Sequence, residues 1–163
     1  MNSLKFRPYQ AEDKAGCIEI FMSNTPQYFG VGEADEFRQF LGTLPCAYFV
    51  AAQNDEIVAC GGYGYHGKKQ AMVLCWGMVH ADFHRQGLGE FTLIERLKQI
   101  YKDFGPTVVQ IETSQHSQGF FERYGFQVKE ITENFFAPGL HRVGMELPLN
   151  QERHRTLISK VNS

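Results

Sequence analysis

The chain has 163 residues, 43% of them hydrophobic and 21% charged, with a formal net charge of −2. That length suits one domain burying roughly two-thirds of its unfolded surface, and the composition is that of a globular protein rather than a disordered one. It offers no basic stripe for nucleic acid or an anionic membrane, no apolar run of membrane-spanning length, and no secretion signal at Met1–Lys5, so a cytoplasmic protein without nucleic-acid or membrane partners is expected.

In chain order, Leu4–Arg7 predicts a short strand ending at Pro8, and Ala11–Ser23 a helix with Ala15, Ile18, Phe21 and Met22 inward. Residues 24–32 hold Pro26, Gly30 and Gly32 and predict a loop. Asp35–Leu44 predicts a second helix presenting Phe37, Phe40, Leu41 and Leu44. Three strands follow at Ala47–Gln53, Glu56–Tyr65 and Gln70–Val79, with turns at Asn54-Asp55 and Gly67–Lys69. From Leu88 to Phe104 the residues Leu88, Phe91, Ile94, Leu97 and Tyr101 recur at helical spacing. Leu93, Ile100 and Phe104 widen the stripe, while Glu90, Glu95, Arg96, Lys98, Gln99 and Lys102 fill the outer face. Then come a strand at Val108–Thr113, a helix at Ser117–Tyr124, strands at Phe126–Thr132 and His141–Leu147, and a helical pattern over Gln151–Val161. Residues 1–149 read as one domain and 150–163 as a C-terminal tail. Cys17, Cys46, Cys60 and Cys75 lie in apolar stretches without paired spacing, which predicts reduced thiols and neither a zinc site nor a disulfide framework.

The most informative segment is His84-Arg85-Gln86-Gly87-Leu88-Gly89, set between the uncharged run Met72–Val79 and the long helix. Its glycines leave the backbone bare where a helix turns unpaired N–H groups and its positive dipole end outward, which is how a helix holds phosphate. A Walker loop would require Gly-Lys-Ser/Thr, but Glu90-Phe91 follows Gly89. A dinucleotide fingerprint would require glycine at Thr92. The literal GxGxxG at Gly62–Gly67 leads into another strand, so it reads as a hairpin.

The remaining pattern resembles the GNAT acetyltransferase superfamily, whose signature is Gln/Arg-x-x-Gly-x-Gly/Ala. Val79–His84 resembles the family's exit from its fourth strand, and Phe120-Phe121-Glu122-Arg123-Tyr124-Gly125-Phe126 resembles its C-terminal aromatic motif. The resemblance implies an α/β (α+β) fold: a mixed, largely antiparallel sheet of six to seven strands flanked by about four helices. It implies an acetyl-CoA-dependent N-acetyltransferase, needing no metal, that transfers directly to a small amine in a ternary complex. A homodimer is compatible with it. The alternative is a coenzyme-A-binding sensing or regulatory module without efficient catalysis. Phe121 keeps that alternative open, because it stands where many members carry the tyrosine that protonates the departing thiolate.

Carried onto this chain, the resemblance expects coenzyme A at Arg85, Gln86, Gly87, Leu88, Gly89 and Glu90, with Ser114 and Phe121 as further contacts. The end of the fourth strand, Met78 or Val79, would offer an amide to the thioester oxygen. No acidic residue stands in Gln70–Val79, so the candidate bases are Glu112 and His116; a solvent-facing strand residue and a surface histidine fit the same positions. The acceptor is expected between the loop carrying Tyr28 and Glu33 and the loop carrying Glu133 and Phe135, where aromatic faces beside carboxylates suit a cationic amine.

Overall fold

The computed structural model describes residues 3–161; the outermost two residues at each end of the predicted domain and tail lie outside that range. Seven strands form one sheet: β1 (Leu4–Pro8), β2 (Ala47–Gln53), β3 (Glu56–His66), β4 (Ala71–Val79), β5 (Thr107–Thr113), β6 (Gln127–Ala137) and β7 (Leu140–Leu149). Five helices accompany them: α1 (Lys14–Ser23), α2 (Ala34–Thr43), α3 (Leu88–Phe104), α4 (Gln115–Glu122) and α5 (Gln151–Val161). The sheet order is β1-β2-β3-β4-β5-β7-β6, and every neighbouring pair is antiparallel except β4 with β5. This is the mixed, largely antiparallel sheet expected. Among the described residues no helix is long and apolar enough to cross a membrane.

Helices α1 and α2 close a core with β2–β4 around Phe21, Phe37 and Val50, and α3 closes a second with β3–β7 around Leu93, Leu97 and Val109. Helix α5 lies on α3, where His154 stacks on Tyr101 at 4.1 Å and Leu157 is buried.

Several sequence expectations shift. Ala15 and Met22 are exposed, while Cys17, Ile20 and Phe21 are buried. Two polar anchors set that phase: Asp13, gripped by Arg7 at 2.8 and 2.9 Å, and Asn24 continue the same stripe at helical spacing. Leu44 adopts a left-handed conformation as the C-cap of α2 and is 38% exposed. The segment Glu133–Phe136 extends β6, so the turn between the last two strands narrows to Pro138-Gly139. On α3, Phe104 is 54% exposed and Arg96 only 3%. Leu88, Thr92 and Arg96 form one buried row at spacings of four, with Arg96 against Gly61 of β3 and Gly77 of β4, so the helix has a third buried side.

Candidate active site

Strands β4 and β5 pair only from Met72/Val109 to Leu74/Ile111 and then part. A β-bulge causes the separation. Register on β3 slips between Cys60 and Gly62, and Trp76 takes the left-handed conformation (φ 45°). The Tyr48 hydroxyl donates to the Trp76 carbonyl at 2.8 Å and pins the bulge. Beyond it, the His80 N–H goes to the Val58 carbonyl of β3. By strand alternation Met78 also faces β3, whereas Val79 and Gly77 turn their N–H groups to the side that β5 has left. Of the two expected donors, Val79 therefore faces the gap and Met78 does not. The Val79 carbonyl, which also loses its ladder partner, accepts from Asn24 Nδ2 (2.8 Å) and from His84 Nε2–H (2.9 Å). Thus His84, the departure at the first signature position, ties the turn to the end of β4.

After His84 the turn takes two left-handed residues, Arg85 (φ 64°) and Gly87 (φ 80°), into α3. The first helical hydrogen bond runs from the Phe91 N–H to the Gly87 carbonyl, 3.0 Å, leaving Leu88, Gly89 and Glu90 N–H groups without intrahelical partners. Phe120 of α4 passes 3.4 Å from where a Gly89 Cβ would stand, so a side chain there would press on it. Across the gap Ser114 begins α4. It is 3% exposed, and its Oγ has no hydrogen-bond partner.

A cleft of about 1090 Å³ runs through this gap. Its walls include the expected Val79, Arg85, Gly87, Gly89, Glu90, Ser114, Phe121, Glu112, His116, Tyr28, Glu33 and Phe135. Met78 also lines it, though its amide points away. Gln86, Leu88 and Glu133 do not line it: Gln86 and Glu133 are exposed, and Leu88 is buried in the core.

Opposite the α3 turn, the loop after α1 and the β6–β7 ribbon meet over the cleft. Gly30 is pressed so closely that an added Cβ would be 2.5 Å from the Phe136 carbonyl oxygen. Tyr28 stands edge-on to both His84 (5.6 Å) and His116 (5.9 Å). Phe29 stacks with Trp76 at 6.1 Å. Glu33 accepts the Gly30 N–H at 2.6 Å, and Glu36 joins it in the wall. Burial raises the proton affinity of Glu33, the Gly30 N–H opposes that, and Glu36 adds to it. Glu112 differs: its side chain is 51% exposed and lies 4.0 Å from Arg142, whose guanidinium covers the Phe135 ring at 4.0 Å.

Sequence reasoning missed four residues of this wall. Trp76 reads as one apolar residue among eight, and nothing in the run reveals the bulge. Glu36 reads as an outward helix residue. Cys75 has its Sγ 3.0 Å from that of Cys46, a proximity brought about by the β3–β4 register. Arg96 reads as an outer-face residue, and only the tertiary packing sets it opposite Gly61 and Gly77, where small residues leave room for a large one.

The sequence matches the family model for the acetyltransferase (GNAT) domain over residues 24–149. The chain belongs to the GNAT family. Its fold is shared with a GNAT-family protein from Desulfovibrio desulfuricans at 20% identity (90% of this chain, 99% of that one, TM-score 0.77). It is similar to the ribosomal-protein-S18-alanine N-acetyltransferase of Escherichia coli at 18% identity (93% and 96%, TM-score 0.74). It is similar also to an aminoglycoside 6'-N-acetyltransferase complexed with coenzyme A, at 13% identity (89% and 97%, TM-score 0.71). No curated relative matches the chain by sequence.

Proposed function

We propose that this GNAT protein is an acetyl-CoA-dependent N-acetyltransferase for a small cationic amine, with direct transfer in a ternary complex. The observation that carries the reading is that a single cleft joins a phosphate-type helix start to a pair of carboxylates among aromatic rings. The residues at the donor end fit coenzyme A. The first-turn amides of α3 suit a pyrophosphate, and the buried Ser114 hydroxyl, unpartnered in the protein, suits a polar group of the pantetheine arm. When bound, acetyl-CoA supplies the thioester that is attacked.

The chain's own residues then have distinct tasks. Glu33 and Glu36 attract the ammonium group, and Phe29 with Trp76 offers ring faces to it. Glu33, its proton affinity raised by burial, takes a proton from the amine so that the nitrogen lone pair is free. Glu112 is half exposed and lies against the Arg142 guanidinium, and His116 stands at the rim behind Tyr28. The Val79 and Gly77 N–H groups offer hydrogen bonds to the oxygen that gains charge.

The second reading, a coenzyme-A sensor without efficient catalysis, is favoured by Phe121, which is buried in the wall and has no proton to give. Thiol release from acetyl-CoA across a panel of small amines, amino acids and peptide N-termini separates the two. Turnover with small cationic amines, reduced about 100-fold by Glu33→Gln with acetyl-CoA affinity kept, is expected. Tight acetyl-CoA binding with no turnover on any amine would favour the sensor.

A further inference from the structure

Arg96 is the most unusual side chain in the cleft. Its residue is 3% exposed, yet among the described residues no carboxylate lies within ion-pair distance. A buried charge without a counter-ion is costly, so a fold that keeps one has placed it beside something anionic or bears the cost for nothing. Nε–H donates to the Thr92 carbonyl at 3.2 Å and Nη1–H to the Gly62 carbonyl at 3.3 Å. Both bonds aim the remaining edge of the guanidinium at the bulge. A Cβ added to Gly77 would be 2.9 Å from Nη2, and Gly77 turns its N–H into the gap between β4 and β5. Arg96 is itself part of the cleft wall, as is Phe121 with its missing hydroxyl.

We infer that Arg96 is the cation that stabilises the thiolate leaving coenzyme A, so that sulfur departs as an anion beside a guanidinium instead of being protonated by an acid. The inference rests on the acetyltransferase reading above and deepens it. As the nitrogen–carbon bond forms, the carbon–sulfur bond breaks with its electron pair going to sulfur. Glu33 takes one proton from the ammonium before attack and hands it to water. The second, shed by nitrogen after the nitrogen–carbon bond forms, then goes to Glu33 in turn, and sulfur takes one from water after release. A fixed cation in a site removed from water needs no reorganisation when that charge appears. Cys75 on β4, Tyr48 on β2 and Cys60 on β3 are the titratable groups that feel the guanidinium. The Cys46 hydrogen bond and burial hold the Cys75 thiol far above its ordinary range, and burial does the same for the Tyr48 phenol, so both stay neutral near pH 8. Arg96 lies lower than an ordinary guanidinium because it is buried, and remains the cation of the group.

Calorimetry with coenzyme A and with desulfo-coenzyme A, which lacks only the sulfhydryl, tests this without turnover. Between about pH 7 and pH 9.5 the wild type is expected to gain about tenfold in affinity for coenzyme A relative to the desulfo compound, equivalent to about one pK unit on the bound thiol. Arg96→Met should abolish that gain, and Arg96→Lys should keep part of it. Equal pH dependence for the two ligands in the wild type would overturn the inference even if neither variant folds, as would an undiminished gain in Arg96→Met. Failure of both ligands to bind would instead remove the acetyltransferase reading, and the inference with it.

Discussion

The packing of Arg96 under the bulge makes a quantitative prediction for Gly77→Ala. The new methyl carbon would stand 2.9 Å from Nη2 and 3.1 Å from Nη1 of Arg96. Gly61 of the neighbouring strand is as tight, with a would-be Cβ 2.9 Å from Cζ, so the guanidinium has little room over the sheet. Its bonds to the Thr92 and Gly62 carbonyls hold it as well. Overpacking of this kind costs about 1–3 kcal/mol, and losing a hydrogen bond to a charged donor costs about as much again. The backbone entropy gained on replacing glycine offsets about 0.5–1 kcal/mol. A net loss of about 1–5.5 kcal/mol follows, which at about 2 kcal/mol per molar lowers the urea midpoint by about 0.5–2.7 M. In an Arg96→Ala background the clash has no partner, so Gly77→Ala should become nearly neutral, with a coupling energy of at least about 1 kcal/mol between the two sites. Urea unfolding of the two single variants and the double variant, followed by fluorescence of Trp76 beside the bulge, measures this. Additivity within about 0.5 kcal/mol would refute the account of why Gly77 is a glycine.

At the α3 turn, Gly87→Asp should weaken acetyl-CoA binding at least about tenfold, or about 1.4 kcal/mol, and Gly87→Asn much less, because asparagine accepts the left-handed backbone without adding an anion. Equal losses in calorimetry would assign the effect to the backbone rather than to the pyrophosphate. The Arg7–Asp13 pair predicts a pH dependence of stability. Its hydrogen bonds from Arg7 hold the Asp13 carboxyl below the usual carboxylate range, against the effect of burial. A depressed folded-state value means that the contribution is complete above the unfolded carboxyl value, about 3.9, and is lost as pH falls through the lower one. Asp13→Asn should therefore cost about 1.5–3 kcal/mol at pH 7, with a gap to wild type that narrows below about pH 4. A gap that stays constant down to about pH 3 would mean that ionisation of Asp13 is irrelevant.

The fold was legible wherever short-range patterning decides structure. The Asn54-Asp55 turn, the uncharged run Met72–Val79 and the heptad-like stripe of α3 each placed an element within a few residues of its observed ends. The errors arise where contacts made by other elements override a local pattern. Arg7 reaches from β1 to Asp13 and rotates the inward face of α1 away from Ala15 and Met22. Arg96 is drawn inward because glycines on two other strands vacate the space, which no periodicity along α3 can reveal. The segment Glu133–Phe136 looked loop-like through Asn134 and the following Pro138, yet pairing with β7 resumes at Ala137/Leu140 beyond a register slip, and the ribbon stays extended. Glu33 is legible in its charge and placement, whereas its burial beside Gly30, which the Phe136 carbonyl meets from the far end of the chain, is not.

The β4 bulge connects these particulars. By turning Trp76 left-handed, it sends that ring to the α1–α2 side, where Phe29 and Phe37 meet it, and so builds the aromatic wall at that end of the cleft. The same step sets the phase of Gly77 and Val79, so that their N–H groups face the gap, and brings Gly77 over Arg96. The resulting loose carbonyl of Val79 is held by Asn24 from the end of α1 and by His84 from the α3 turn. The α3 turn, the aromatic wall and the buried cation are therefore referenced to four consecutive residues, Trp76 to Val79. A displacement of these residues would disturb all three together, whereas changes at Glu33, Ser114 or Gly87 should each disturb one. Two-sided loss after a bulge mutation, in acetyl-CoA affinity and in amine Michaelis constant at once, is the signature expected of this arrangement, and a one-sided loss would break the link drawn here between the bulge and the two ends of the cleft.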